Sequence, residues 1–347
     1  MRETTLRKTG RAGLITLNRP KALNALTWDM CRTIEAALDD WHDDPDVSLI
    51  IIDGAGERAF CAGGDIAEMY AAGQRGDLDY GRRFWRDEYR LNAMIYDYPK
   101  PIVTFLHGFT MGGGVGVGCH AQHRIVCENS QIAMPECSIG LVPDVGGSLI
   151  LAKAPGHLGE FLGLSGDRMD AGDAIYVGFA NHFVPQDAWE RLKHQLITTG
   201  DTTAIEAASQ TPPPARLAAW QEGIDGCFAG TTFADIYRTM PTTPGPAITH
   251  VRKLMDRNAP LAMAVAVKII RAARHDPQIT SALDREFRYT YRCVAQGDFI
   301  EGIRAAIIDR DRAPKWQHES WDAVTEEDVA QMTADLGKDA LRWKEDA

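Results

Sequence analysis

The residues best suited to chemistry are two carboxylates, Glu136 and Asp144, which stand eight residues apart in segment 134–147. Two prolines stiffen this segment and three glycines let it bend. Two carboxyl groups that converge on one site can divide the roles of acid and base, although loop carboxylates are usually solvated. The apolar neighbours Ile139, Leu141, Val142 and Val145 indicate a partly buried loop. Burial would raise a carboxyl pKa and suit the group to proton transfer.

Two glycine-rich segments are the second chemical signal. The first, 59–66, contains the pair Gly63-Gly64, and the second, 107–118, holds six glycines within eleven residues. Such turns can direct backbone N–H groups outward, as an anion-stabilising loop requires. The plainer interpretation of each is a tight turn between a strand and a helix.

Other catalytic motifs are missing from the sequence. Segment 107–118 lacks the Gly-Lys-Ser/Thr of a phosphate loop, and the chain between Ala121 and Glu136 is too short for the crossover helix of a dinucleotide site. No nucleophile elbow or His-Glu-x-x-His motif occurs. His120 and His123 have no third ligand nearby, and Cys61 and Cys119 have no evident base. We therefore expect no metal and no redox cofactor.

Composition places the chain among ordinary globular proteins. Its 347 residues are 45% apolar and 24% charged, with a net charge of −11. The absence of a basic stripe argues against a nucleic-acid partner. No run of eighteen apolar residues occurs, so the sequence predicts no membrane-spanning helix. Seven scattered cysteines without a Cys-x-x-Cys pair, and a first segment without a signal core, predict a reduced, cytoplasmic protein.

Short β-rich runs alternate with helical stretches over the first two hundred residues, which predicts an α/β fold. A helix is expected over 28–41, with Thr27 as its N-cap. The predicted strands are 14–17, 48–53, 102–107, 123–126, 131–134 and 181–184.

Beyond residue 200 the pattern becomes mostly helical, with good amphipathic helices at 260–274 and 281–295 and a charged end at 325–347. Proline-rich breaks at 211–214 and 242–246 interrupt it. We expect a core at 1–200 and a helical C-terminal region at 201–347 that packs on it.

Taken in order, four segments resemble the crotonase (enoyl-CoA hydratase/isomerase) superfamily. They are the Asn-Arg-Pro-x-Ala-Leu-Asn-Ala-Leu run at 18–26, the loop 60–66, the glycine turn 112–114 and the loop 135–147. The resemblance implies a crotonase-like spiral of ββα units, an acyl-CoA thioester as substrate, and an oxyanion held by the N–H groups of Gly64 and Gly113. It also implies that Ala22, Ala62, Asp65 and Ile66 line the path of the CoA chain.

Within that superfamily the sequence resembles the 3-hydroxyisobutyryl-CoA hydrolase branch. Shared motifs are Met-Gly-Gly-Gly-Val-Gly at 111–116, Met-Pro-Glu at 134–136, Gly-Leu-x-Pro-Asp-Val-Gly-Gly at 140–147 and Asp-Phe-x-Glu-Gly-x-Arg-Ala at 298–305. Typical hydratases carry a catalytic glutamate where this chain has Gly116. The resemblance therefore implies hydrolysis of a short 3-hydroxyacyl-CoA in valine degradation, with CoA as part of the substrate.

The same resemblance assigns Glu136 and Asp144 as catalytic carboxylates and Glu88 as a substrate contact. Glu136 would attack the thioester carbonyl or activate water, while Asp144 transfers protons. Two alternatives stay open: a hydratase or isomerase that uses Glu136 alone, and a non-catalytic acyl-CoA-binding protein. A homo-oligomer is possible, and the sequence does not distinguish 3-hydroxyisobutyryl from 3-hydroxypropionyl substrates, which differ by one methyl group.

Overall fold

The computed structural model describes residues 2–243 and 245–343. These residues fold as an α/β protein, as the sequence predicts, in two compact units built from interleaved segments. The first unit comprises 1–64, 90–133 and 168–216, and the second comprises 65–89, 134–167 and 217–347. The predicted boundary at residue 200 thus falls inside the last segment of the first unit.

The first unit contains both β-sheets. One sheet has six strands in the order β1-β2-β3-β5-β7-β9, and the other has three in the order β4-β6-β8. Among the strands in the described part of the chain, β1 and β2 pair antiparallel and all other pairs are parallel. The strands are β1 Thr4–Thr9, β2 Ala12–Leu17, β3 Leu49–Gly54, β4 Ala59–Cys61, β5 Ile102–Phe105, β6 Phe109–Met111, β7 His123–Val126, β8 Gln131–Ala133 and β9 His182–Phe183.

Parallel strands β3 and β5 are almost wholly buried because helices cover the sheet. Helix α1 begins after Thr27, whose hydroxyl accepts the N–H of Met30 at 3.2 Å, so the predicted N-cap is confirmed. The helices of this unit are α1 Trp28–His42, α4 Gly113–Gly118, α7 Ala171–Tyr176, α8 Trp189–Thr199 and α9 Thr203–Ala208. A buried cluster joins α8 and α9 to the six-stranded sheet through Trp189, Leu192, Leu196 and Ile205.

The regular secondary structure of the second unit is helical, with no β-strand among its described residues. Helix α3 runs from the second unit into the first, and α10 begins at the last residue of the first. The helices of this group are α2 Ile66–Gln74, α3 Leu78–Tyr96, α5 Gly147–Lys153, α6 Leu158–Ser165, α10 Arg216–Phe228, α11 Phe233–Thr239, α12 Pro246–Met255, α13 Pro260–His275, α14 Ile279–Gln296, α15 Phe299–Ile303 and α16 Glu326–Thr333. A π-helical turn, Arg304–Ile308, follows α15.

All six predicted strands exist, most of them with ends shifted by one or two residues, and the helices expected at 260–274 and 281–295 are α13 and α14. Three strands were not predicted. β1 is mostly polar because it lies at a sheet edge, and β4 and β6 have three residues each, too few to show a period. The charged end forms α16, and its last four residues lie outside the described part.

Asn24 joins the run 18–26 to the segment that leads into β4. Its amide nitrogen donates to the carbonyls of Ala55 and Ala59, both at 2.9 Å, and its oxygen accepts the N–H of Arg19 at 2.9 Å. The residue is fully buried and has a φ of 56°, a left-handed conformation that asparagine tolerates. One side chain therefore holds two loops in register.

We predict that Asn24→Ala lowers the free energy of unfolding by about 2–4 kcal/mol, because the buried carbonyl of Ala59 and the half-buried carbonyl of Ala55 lose their donor and alanine resists a positive φ. Equilibrium urea unfolding measures the change. Asn18→Ala is the control, since the amide of Asn18 donates to the backbone at an exposed site. Equal stability of the two variants would contradict this interpretation of Asn24.

Candidate active site

The first unit places both predicted oxyanion donors at one edge of its smaller sheet. β4 and β6 are adjacent parallel strands that end at Cys61 and Met111, and Gly64 and Gly113 follow these ends within three residues. Loops at the carboxyl ends of parallel strands share an edge, which is where α/β proteins bind ligands.

Contact between these two loops is close enough to require glycine. A Cβ added to Gly114 would lie 2.2 Å from the carbonyl oxygen of Cys61. Gly113 is the first residue of α4, and the first N–H groups of a helix have no partner within it. The neighbouring loop is held by a 2.8 Å hydrogen bond from Leu26 N–H to the carbonyl of Gly63, which does not use the N–H of Gly64.

The residues predicted to line the CoA path divide between the units. Ala62 N–H donates to the carbonyl of Leu23 at 3.0 Å, so Ala62 lies beside the segment that contains the exposed Ala22. Asp65 and Ile66 are half-buried and belong to the second unit, at the start of α2.

The second unit holds all three predicted carboxylates. Glu88 lies on α3, Glu136 begins the 3₁₀ turn Glu136–Ile139, and Asp144 precedes α5. Their exposed fractions are 2%, 5% and 4%. The predicted burial of the loop around Glu136 and Asp144 is therefore confirmed.

Burial also controls the protonation of these groups. It raises the pKa of Glu88 and of Glu136 well above the ordinary value, and the negative charge of Asp144 adds to both shifts. Burial raises the pKa of Asp144 to about 7, while a hydrogen bond from Tyr89 opposes the rise. Of the three carboxyls, Asp144 is the one whose ionised form a side-chain hydrogen bond favours, so the three are chemically unequal.

Two further buried residues contact Asp144 or its loop, and the sequence interpretation missed both. The hydroxyl of Tyr89 donates to Asp144 Oδ2 at 2.7 Å. Glu286, on α14, accepts the N–H groups of Gly146 and Ser148 at 2.7 and 3.0 Å. The sequence signal that could have identified Glu286 is its position among the apolar residues that form the buried face of α14. A glutamate on such a face is removed from water and needs hydrogen-bond partners.

The other candidate groups do not form a chemical site in the structure. No group of three or more His, Cys, Asp or Glu side chains suited to a metal occurs in residues 2–243 and 245–343. Burial raises the pKa of the Cys119 thiol to about 12, which leaves it unreactive at neutral pH. His123 instead contacts His182, with 3.2 Å between Nδ1 and Nε2.

We predict that Asp144→Asn stabilises the protein at pH 8 by roughly 2–4 kcal/mol, because it removes a buried charge. The folded-state pKa of Asp144 is raised to about 7, so the wild type loses stability as pH rises from about 4 through 7. The gain should vanish near pH 4, where the carboxyl is protonated in both states. Urea unfolding of both proteins at pH 4 and 8 measures it.

Glu160→Gln is the matched control of opposite sign. Burial opposes ionisation of Glu160, but hydrogen bonds from Arg274 outweigh it and lower the pKa. Removing this charge should destabilise the protein at pH 8 by about 3–5 kcal/mol. If Asp144→Asn is also less stable than the wild type at pH 8, the ionised Asp144 does not destabilise the folded state and the prediction is wrong.

Comparison with known proteins gives one consistent family. The family model described as Enoyl-CoA hydratase/isomerase matches residues 12–333. A Danio rerio relative named "3-hydroxyisobutyryl-CoA hydrolase, mitochondrial" is 36% identical over 98% of this chain and 91% of its own length.

Two solved structures are similar over almost their whole length. A protein titled enoyl-CoA hydratase from Rhodobacter sphaeroides is 50% identical with a TM-score of 0.95, and covers 99% of this chain and 100% of its own. A protein titled carnitinyl-CoA dehydratase from Mycobacterium thermoresistibile is 39% identical with a TM-score of 0.94, and covers 99% of each chain. The chain has the crotonase fold and belongs to the enoyl-CoA hydratase/isomerase family.

Proposed function

We propose that this protein hydrolyses a short-chain 3-hydroxyacyl-CoA thioester, with 3-hydroxyisobutyryl-CoA as the substrate and 3-hydroxyisobutyrate and CoA as the products. The observation that carries the proposal is the group of buried carboxyls in the second unit, Glu88, Glu136 and Asp144, whose pKa values burial raises. The name and full-length similarity of the hydrolase relative support it. Valine degradation is the corresponding pathway.

In this proposal the N–H groups of Gly64 and Gly113 hold the oxyanion that forms as the thioester carbonyl is attacked. Each such donor is typically worth about 10²–10³ in kcat. Ala22, Ala62, Asp65 and Ile66 line the CoA path, and Glu88 contacts the acyl group. CoA enters as part of the substrate, and no separate cofactor is needed for this chemistry.

Hydrogen bonding favours a specific division of labour between Glu136 and Asp144. In acid–base hydrolysis, an ionised carboxyl accepts the proton of the attacking water and a protonated carboxyl donates a proton to the leaving thiolate. Asp144 takes the base role, because the Tyr89 hydroxyl stabilises its ionised form, and Glu136 takes the acid role, because one of its buried oxygens has no hydrogen-bond partner among the described residues. Attack by Glu136 itself, the other route, first requires that Glu136 lose its proton.

A hydratase is the alternative function, because the similar Rhodobacter sphaeroides protein is named an enoyl-CoA hydratase. Two-carboxylate hydration uses a glutamate at the position of Gly116, which here is a buried glycine of α4. That position therefore supplies no carboxylate for water addition. A one-base isomerase and a non-catalytic acyl-CoA-binding protein are distinguished by experiment below.

The cellular location and the oligomeric state are the remaining parts of the proposal. None of the described helices is long and apolar enough to cross a membrane. The Danio rerio relative is named as mitochondrial, so the cytoplasmic location expected from the sequence stays a prediction. A homo-oligomer remains part of the proposal.

We predict that the purified protein releases free thiol from 3-hydroxyisobutyryl-CoA and that Glu136→Gln lowers kcat by about 10²–10⁴-fold with little change in KM. A chromogenic thiol reagent measures the release. Glu222→Gln, which changes an exposed carboxyl on α10, is the control and should match the wild type. Crotonyl-CoA and a 3-enoyl-CoA are assayed in parallel.

The outcomes separate the three functions. Consumption of crotonyl-CoA without thiol release would make the protein a hydratase, and a shift of the 3-enoyl double bond would make it an isomerase. Tight binding of the esters without turnover would make it a binding protein.

We predict a bell-shaped pH profile of kcat/KM whose acid limb has an apparent pKa near 7, because Asp144 must lose its proton before it can act as a base. The rate falls again at higher pH as Glu136 ionises. Steady-state rates between pH 5 and 10 measure the profile. A rate that is flat from pH 5 to 8 would show that no group of raised pKa acts as the base.

A further inference from the structure

Glu286 makes an unusual set of contacts for a buried carboxylate. It is fully buried on α14, and its partners are backbone groups of the turn that carries Asp144. Oε2 accepts Gly146 N–H at 2.7 Å, and Oε1 accepts both Ser148 N–H at 3.0 Å and the Ser148 hydroxyl. A single side chain thus holds the backbone on both sides of Gly147, the first residue of α5.

The backbone that Glu286 holds is strained. Val145 has a φ of 54°, which a β-branched residue rarely adopts, and Gly146 continues the left-handed path with a φ of 77°. The turn is closed by Gly147 N–H donating to the carbonyl of Asp144 at 2.7 Å. Such conformations persist only where the surroundings impose them.

Stability alone does not explain a carboxylate at this position. Glu286 has no ion pair with Lys, Arg or His among the residues the structure describes. Burial raises its pKa and the charge of Asp144 adds to the rise, while the hydrogen bonds from Gly146 and Ser148 lower the pKa and favour the ionised form. An apolar side chain in the same space would avoid the cost of desolvating a carboxyl group. The feature that an apolar residue would lose is the set of three hydrogen bonds to the Asp144 turn.

We propose that Glu286 is a positioning residue that keeps the Asp144–Ser148 turn in the strained conformation needed for turnover. It acts through Gly146 and Ser148, while Tyr89 holds the Asp144 carboxyl directly. The catalytic consequence rests on the proposed function, in which Asp144 takes part in thioester hydrolysis. The structural claim, that Glu286 imposes the turn, stands independently of the reaction.

Glu286→Gln tests the proposal in the full-length protein. It replaces one acceptor oxygen with an NH₂ group that faces backbone donors, so the turn should relax. We expect kcat on 3-hydroxyisobutyryl-CoA to fall by roughly 10²-fold with KM nearly unchanged, as a displacement of about 1 Å at a catalytic group produces. Amide hydrogen exchange of the peptide that contains residues 144–149 should become at least about tenfold faster.

Glu160→Gln is the matched control, because it is the same change at another fully buried glutamate, held by Arg271 and Arg274. It should lower Tm without altering exchange at 144–149 or kcat below the unfolding temperature. If Glu286→Gln does not fold, Ser148→Ala removes the hydroxyl contact alone and should give a smaller change in the same two measurements.

Each result decides the proposal. Faster exchange confined to the Glu286 variant, together with a lower kcat, supports it. Unchanged exchange at 144–149 in Glu286→Gln overturns it, whatever the activity. Faster exchange in a protein whose wild type releases no thiol supports the positioning of the turn and rejects the proposed reaction.

Discussion

Desolvation of carboxyl groups is the constraint on which the chemistry of the second unit depends. Glu88, Glu136, Asp144 and Glu286 are all buried, and no neighbouring Lys, Arg or His within the described part of the chain is among the causes of their pKa shifts. Removal from water therefore raises the pKa of each group, and the negative charge of Asp144 adds to the rise for the three glutamates. Such a cluster costs stability, and proteins retain costly groups of this kind chiefly where they serve function.

Hydrogen bonding then makes these similar groups different from one another. Glu286 is satisfied by three donors and Asp144 receives the hydroxyl of Tyr89, whereas one oxygen each of Glu88 and Glu136 has no partner in the residues described. A carboxyl that receives donors ionises more readily than one that does not. The arrangement thus yields an ionisable group beside protonated ones, which is what an acid–base reaction at neutral pH requires.

The sequence predicted the features of this site that depend on neighbouring residues, and it did not predict the contacts between residues far apart in the chain. Loop burial around Glu136 and Asp144 followed from their apolar neighbours, and the N-cap at Thr27 from its residue type. Tyr89 and Glu286 lie 55 and 142 residues from Asp144 along the chain, so no local pattern connects them to it. Likewise the three-residue strands β4 and β6, which set the glycine loops side by side, form only because the partner strand is present.

The most direct test of the account is to observe the carboxyl protons themselves. The infrared spectrum of the wild type at pH 7 should contain a carbonyl band from protonated carboxylic acids, which ordinary ionised side chains do not give. The account predicts that Glu136→Gln reduces this band at pH 8, whereas Asp144→Asn leaves most of it. Absence of the band at pH 7, or its survival undiminished in Glu136→Gln, would contradict the claim that burial keeps Glu136 protonated.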